Sequence, residues 1–272
     1  MPPVGKANAG IFRRRQEERD VKMWEAVVLG LVQGAGEFLP VSSSGHLLLL
    51  EKLGIGEADL FFNICLHLGT LLSVVIVMRR SLIALFRKEN RRTLLLLVLA
   101  CLPTVAFALL FKYLAPSLVD GAYLPLGFLA TSFLIVLAEK FSPAQTRGLS
   151  VKTGILTGVF QGIAVLPGIS RSGATIAALR LSGVSRPAAA EFSFLLSLPV
   201  IAGSALYEGT ELAVTGKLTD VAVLPLLAGV AAAFLAGCVA IKFFLSLVRR
   251  RSSLPFALYT AALSVASFFL LY

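Results

Sequence analysis

Charge is what this sequence has least of: 15% of its 272 residues are Asp, Glu, Lys or Arg, against about 25% in soluble domains. Its apolar share is correspondingly high, at 57%. That imbalance excludes an ordinary soluble globular chain and makes the lipid bilayer the first partner to consider. Cysteine is scarce as well. Cys65, Cys101 and Cys238 stand alone in apolar stretches, with no Cys-x-x-Cys pair. A disulfide framework and a thiolate metal cage are therefore both excluded. Acidic residues are fewer than basic ones, and the net charge is +10. This excess does not point to nucleic acid, because the basic residues sit in short runs between apolar stretches, as cytoplasmic loops do. The polar N-terminus, with Arg13–Arg15 followed by Glu17, Glu18, Arg19 and Asp20, lacks the apolar core of a cleaved leader and reads as a surface arm.

What is present is a series of apolar runs. They cover roughly 24–33, 44–53, 60–78, 94–113, 123–138, 153–165, 173–182, 188–206, 221–245 and 254–271. Six are long enough to cross about 30 Å of hydrocarbon as helices. The others form two interrupted pairs, 24–53 and 153–182, broken by Gly, Pro and Ser. The expected fold is thus an all-α polytopic membrane protein with about six transmembrane helices.

The interrupted pairs resemble each other. Gln33-Gly34 leads through Pro40 to Ser42-Ser43-Ser44-Gly45, and Gln161-Gly162 leads through Pro167 to Ser170-Arg171-Ser172-Gly173. Each pair is followed by three full spans, so the chain divides into a polar arm (1–22), a first repeat (23–138) and a second repeat (139–272). An odd number of spans per repeat inverts one against the other. Non-helical backbone at membrane depth survives only inside protein or along a wet cavity. The expectation is two re-entrant helical hairpins meeting within the bundle; the alternative is ordinary spans bent by Gly and Pro.

Basic loops at 79–93, 139–152 and 246–253 are expected on the cytoplasmic side. Loop 207–220, with Glu208, Glu211 and Asp220 against Lys217, is expected outside. That threading puts Tyr272 outside. A re-entrant first hairpin puts the N-terminus outside too, whereas the basic arm favours the inside.

Ionisable groups in apolar segments are costly and mark function. They are Glu37, His46, His67, Arg171, Arg180, Glu191 and Lys242. For His67 and Lys242 the structural reading is preferred. Arg180 and Glu191 flank a loop, where a structural ion pair weighs as much as a catalytic role. Glu37, Ser42, Ser43, Ser44, Gly45, His46 and Arg171 lie on the broken segments, and this set suits a phosphate ester. Arg171 offers a planar fork for phosphoryl oxygens. The serines and the helix-start amides make an anion cradle, with Ser170, Ser172, Gly173 and Thr175 contributing from the second hairpin. Glu37, with Gln33 one turn earlier, can hold a divalent cation. The nucleophile is His46, Ser43 with His46 as its base, or water activated by His46.

The run Glu37-Phe38-Leu39-Pro40-Val41-Ser42-Ser43-Ser44-Gly45-His46 closely resembles the signature of bacterial undecaprenyl-diphosphate phosphatases, the bacitracin-resistance family. Pro167-Gly168-Ile169-Ser170-Arg171-Ser172-Gly173-Ala174-Thr175 resembles their second motif, and the run from Gly183 to Leu196 is similar as well. The resemblance extends over nearly the whole chain after residue 22. It implies two re-entrant hairpins in inverted repeats. It also implies hydrolysis of undecaprenyl diphosphate at the outer face of the bacterial inner membrane, which recycles the lipid carrier for cell-wall synthesis. A divalent cation (Mg2+ or Ca2+) and a homodimer are implied too. Gln33 and Glu37 fall on the family's acidic motif, Ser43 and His46 on its catalytic pair, and Arg171 on its phosphate-binding arginine. Many members carry Glu where Gln33 stands, which puts metal ligation at 33 in question.

A transporter or lipid flippase is the rival class, since inverted repeats with broken helices also build transporters. The type 2 phosphatidic-acid phosphatases share a Ser-Gly-His element, but they require a His after the Arg, and none follows Arg171.

Overall fold

The computed structural model describes residues 21–56, 59–143, 147–216 and 222–272. The expected arm lies outside the described residues except for its last two, as do Lys217 and Asp220 of the acidic loop. Among the described residues all regular structure is helical. The order is α1 (Met23–Phe38), α2 (Ser43–Lys52), α3 (Leu60–Val77), α4 (Arg79–Leu85), α5 (Arg91–Leu114), α6 (Pro116–Val119) and α7 (Leu124–Phe141). There follow α8 (Val151–Ile163), α9 (Arg171–Leu181), α10 (Arg186–Thr215), α11 (Val223–Leu247) and α12 (Leu254–Leu271).

Helices α3, α5, α7, α10, α11 and α12 are long and apolar enough to cross a membrane. They expose large side chains such as Leu102, Leu126, Phe133, Leu258 and Phe269, as helices solvated by lipid do. The chain is a multi-pass membrane protein. Its other four principal helices have 16, 10, 13 and 11 residues, too short to cross about 30 Å at 1.5 Å per residue. They form the two helix–turn–helix pairs expected at the interrupted segments.

The turn in the first pair falls after the glycines. Helix α1 runs on through Gly34 and Gly36 to Phe38 and turns at Leu39–Ser42. The glycines are there for packing. A Cβ on Gly30 would come within 2.2 Å of the Gly229 carbonyl oxygen, and one on Gly34 within 2.3 Å of that of Ala233. Helix α1 therefore rides directly on the backbone of α11, as small-residue stripes allow in membranes. The second pair does the same on α5, where a Cβ on Gly158 would meet the Ala100 oxygen at 2.2 Å. Each hairpin's first helix thus packs on the second long span of the opposite repeat.

The basic segments gather at one end of the bundle. Ser81 donates to Glu191 at 2.5 Å, the Arg147 amide donates to the Gly183 carbonyl at 2.7 Å, and Glu139 accepts from both Arg186 and the Ser253 amide. Glu191 therefore pairs with a serine rather than an arginine, and Arg180 donates to the Val184 carbonyl at 2.7 Å. Lys242 is exposed. The opposite end is held by Lys112 with Glu211 (2.5 Å) and by Tyr272 donating to the Ala122 carbonyl. Helix α10 continues to Thr215, beyond the expected end of its apolar run, and Gly216 terminates it at φ 64°.

Candidate active site

The site lies where the tips of the two hairpins meet. Gly45 faces the ring of Phe128 and the Cα of Gly168, with a Cβ 2.7 and 3.0 Å from them, so the tips touch only because both positions lack side chains. Gly168 sits at φ +86° against the backbone of α7, which excludes any Cβ there twice over. Ser172 Oγ donates across the junction to the Leu39 carbonyl at 3.0 Å.

At the junction, Glu37 closes the last turn of α1 and is 8% exposed. Its Oε1 accepts from Arg171 Nη2 at 2.8 Å, and Oε2 accepts from Ser43 Oγ at 2.8 Å and Gln33 Nε2 at 3.0 Å. Arg171 is the first residue of α9, so this ion pair ties the hairpins together. The other side of its guanidinium is unspent: Nε and Nη1 are buried and have no protein partner. A buried cationic donor left unpaired is costly, and each of these N–H groups is a charge-assisted donor for a phosphate or carboxylate oxygen.

Ser42 occupies the N-cap of α2, where its Oγ accepts from the Gly45 amide at 3.3 Å. Its φ of +68° is the one positive value outside glycine among the described residues. Such a conformation stores about 1–3 kcal/mol and clusters at functional sites. The turned backbone presents the Ser42 carbonyl to His46, whose Nδ1 lies 2.7 Å from it. A carbonyl can only accept, so Nδ1 carries the proton in the neutral ring and Nε2 has the lone pair. Nε2 stands 2.7 Å from the Tyr259 hydroxyl.

His46 and Ser43 are therefore one helical turn apart without a mutual hydrogen bond. Ser43 is paired with Glu37, a base partner that the spacing within α2 does not reveal. Ser44 is exposed, with its Oγ 3.4 Å from that of Ser42. The remaining cradle residues are engaged inside the protein. Ser170 Oγ accepts from the Gly173 amide (3.1 Å), the Ser170 amide donates to Thr131 (2.8 Å), and Thr175 Oγ1 pairs with Ser193 (2.6 Å). The amides of Gly45 and Gly173 serve as cap donors. These groups shape the second tip and aim Arg171.

His67, read from the sequence as structural, joins the cluster through a hydrogen bond. From α3, its Nδ1 approaches Gln33 Nε2 at 2.6 Å and Glu37 Oε2 at 3.8 Å. Tyr259, from the last span, is a second residue that sequence reasoning missed. A histidine in an apolar helix was a signal for the first. A tyrosine in an apolar run carried none.

Among the described residues no three His, Cys, Asp or Glu side chains group as a metal cage. Gln33 Oε1 is buried without a partner beside Glu37. One carboxylate and one amide oxygen fit a divalent cation of the kind held jointly by protein and substrate phosphates, rather than one caged by protein alone.

A family model for bacitracin resistance protein BacA matches residues 26–266. Curated proteins called undecaprenyl-diphosphatase are similar over nearly the whole chain. The one from Carboxydothermus hydrogenoformans is 39% identical over 248 residues, covering 89% of this chain and 95% of the relative. That from Moorella thermoacetica is 40% identical over 263 residues, covering 90% and 98%. That from Bacteroides fragilis is 34% identical over 262 residues, covering 91% and 97%.

Proposed function

The chain belongs to the bacitracin resistance protein BacA family, and from that premise we propose how its two hairpin tips carry out the reaction. The enzyme hydrolyses undecaprenyl diphosphate to undecaprenyl phosphate and inorganic phosphate, an activity that frees the lipid carrier and underlies bacitracin resistance. The observation that carries the site assignment is the half-spent guanidinium of Arg171 beside the Glu37–Ser43 pair.

In the proposed mechanism oxygens of the substrate's diphosphate accept from the unpaired N–H donors of Arg171, whose charge offsets theirs in phosphoryl transfer. Ser43 Oγ attacks the terminal phosphorus and its proton passes to Glu37 Oε2. The bond from phosphorus to the bridging oxygen breaks, and undecaprenyl phosphate leaves. Water then attacks the phosphoserine, with its proton taken by His46 Nε2. The Oγ–phosphorus bond breaks, phosphate departs, Glu37 returns the proton to Ser43, and His46 gives its proton to the departing phosphate or to water. Gln33 Oε1 and Glu37 would hold a divalent cation together with substrate oxygens. When bound, it offsets the charge of the diphosphate.

The two helix pairs are read as re-entrant hairpins, entering the bilayer from opposite faces. Positive charge favours the cytoplasm, so the end bearing the basic segments faces inward. The first hairpin, with Glu37, Ser43 and His46, then enters from outside, supporting an outward-facing site in the bacterial cell membrane.

The test is phosphate release from undecaprenyl diphosphate by purified protein, with and without chelator. Wild type should release phosphate in a cation-dependent way, and Arg171→Ala should lose about 1,000-fold or more in kcat. Trapped phosphoenzyme should be acid-stable, as phosphoserine is. An acid-labile adduct would replace Ser43 with His46 as nucleophile.

A further inference from the structure

His46 is clamped from two sides by one pair of spans. Phe128 of α7 meets its ring edge-on, with centroids 5.6 Å apart and planes at 81°. Tyr259 of α12 lies nearly parallel to it, 5.7 Å away at 8°, with its hydroxyl at Nε2. The two spans are pinned to each other on either side of this clamp. Ser132 donates to the Ala257 carbonyl at 2.8 Å, and Ser264 donates to that of Pro125 at 2.7 Å. Position 259 is thereby held opposite α2. Tyr259 is half exposed, whereas the other hydroxyls of its helix, on Thr260, Ser264 and Ser267, are buried and bonded to backbone carbonyls. At membrane depth a hydroxyl is costly unless paired, and its partner is His46. Phenylalanine would fill the same space without that cost, so the hydroxyl needs a reason of its own.

We infer that Tyr259 is a positioning residue for His46: its hydroxyl and the Ser42 carbonyl hold the imidazole from both ends in the Nδ1–H tautomer, with Nε2 as the acceptor the reaction needs. The inference rests on the role given to His46 above. Neutral imidazole exchanges between two tautomers, and only one leaves Nε2 free to take a proton. The Ser42 carbonyl requires the proton on Nδ1, and a hydroxyl donating to Nε2 requires its absence there. The two contacts select the same form and the same ring orientation. When water enters to attack, it takes the place of the hydroxyl at Nε2 without any rotation of the ring.

The variant Tyr259→Phe keeps the ring and removes the hydroxyl. The chain has two histidines, so imidazole nitrogen NMR can follow His46, its signal being the one missing from His46→Gln. Wild type should show a single tautomer and Tyr259→Phe a mixture. In phosphate release, Tyr259→Phe should lower kcat about tenfold, a fraction of the effect of a general base, with KM changed less than about twofold. Added to His46→Gln, it should cost nothing more. An unchanged or raised kcat, an unaltered tautomer, or the same fold-loss with and without His46 overturns the inference. If His46→Gln keeps the wild-type rate, the reading of the site fails first, and that failure is recognisable because it needs no change at Tyr259.

Discussion

The two hairpins are one device built twice and then put to different use. In both, a buried glutamine (Gln33, Gln161) precedes the turn and leaves its Oε1 without a partner. In both, a serine caps the second helix and accepts from a glycine amide three residues on: Ser42 from Gly45 and Ser170 from Gly173. The flanking hydroxyls match as well, at 3.4 Å for Ser42–Ser44 and 3.2 Å for Ser170–Ser172. The chemistry does not repeat. Where the first tip has Glu37, Ser43 and His46, the second has Val165, Arg171 and Ala174 in register. In the proposed mechanism base and nucleophile come from one copy and the phosphate-binding cation from the other, so neither hairpin is a site alone. Strain follows the same division, since Ser42 is at φ +68° while Ser170 is at φ −70°. The capping scaffold needs no unusual backbone. The carbonyl aimed at His46 does.

The hardest blow to this division is Ser43→Ala. It should cut phosphate release by about 1,000-fold or more, because it removes the bond-forming atom, and phosphoenzyme should no longer be trapped. Arg171→Lys keeps the charge but not the fork and should cost about 100-fold in kcat. Equal activity in the lysine variant would mean that charge alone is used. The shared scaffold is tested by Gly34→Ala and Gly162→Ala. Each added methyl meets the opposite span, at 2.3 Å from the Ala233 oxygen or 2.6 Å from the Phe107 Cβ. Each should destabilise by about 1–3 kcal/mol in detergent unfolding, and a large disparity between them would break the symmetry argument.

Gln33→Glu adds a carboxylate beside Glu37. It should preserve the rate and lower the cation concentration for half-maximal activity; an unchanged requirement would count against ligation at 33. The smallest effect separates the caps. Replacing Ser by Gly at an N-cap costs only a few tenths of a kcal/mol, but at 42 it also relieves the positive φ. Ser42→Gly should therefore stabilise by up to about 1 kcal/mol, whereas Ser170→Gly should not. Stability curves of the two variants measure the difference.

Much of this molecule is legible along the chain, because hydrophobic solvation is a local property. An apolar run of about 20 residues is a span wherever it goes, and Pro40 and Pro167 stand beside Gly and Ser at the two turns, whereas Pro103 and Pro199, inside long apolar runs, stay within helices. The six spans, the two helix–turn–helix pairs and the repeat follow from such local constraints, and the same reasoning singles out Glu37, Ser43, His46 and Arg171 as candidates. The turn itself was less legible. The Gly/Pro-rich stretch between the first two apolar runs does not say where the turn falls, and Gly34 and Gly36 stay helical with α11 and the start of α2 packed against them.

The pairings were not legible at all. Arg171 finds Glu37 across 134 residues, Gln33 meets His67 across 34, and Tyr259 reaches His46 across 213. Hydrogen bonds of this kind depend on ångström-scale distances that only the assembled bundle sets. Composition and order along the chain thus settle which groups are placed in lipid at a cost that function must justify. Packing between segments settles which of them touch, so that Ser43 donates its hydrogen bond to Glu37 rather than to His46 and a tyrosine from the last span meets the histidine of the first hairpin. The physical reason is range: burial in a bilayer acts on each segment separately, whereas partner choice among buried polar groups is settled by packing between segments far apart in the chain.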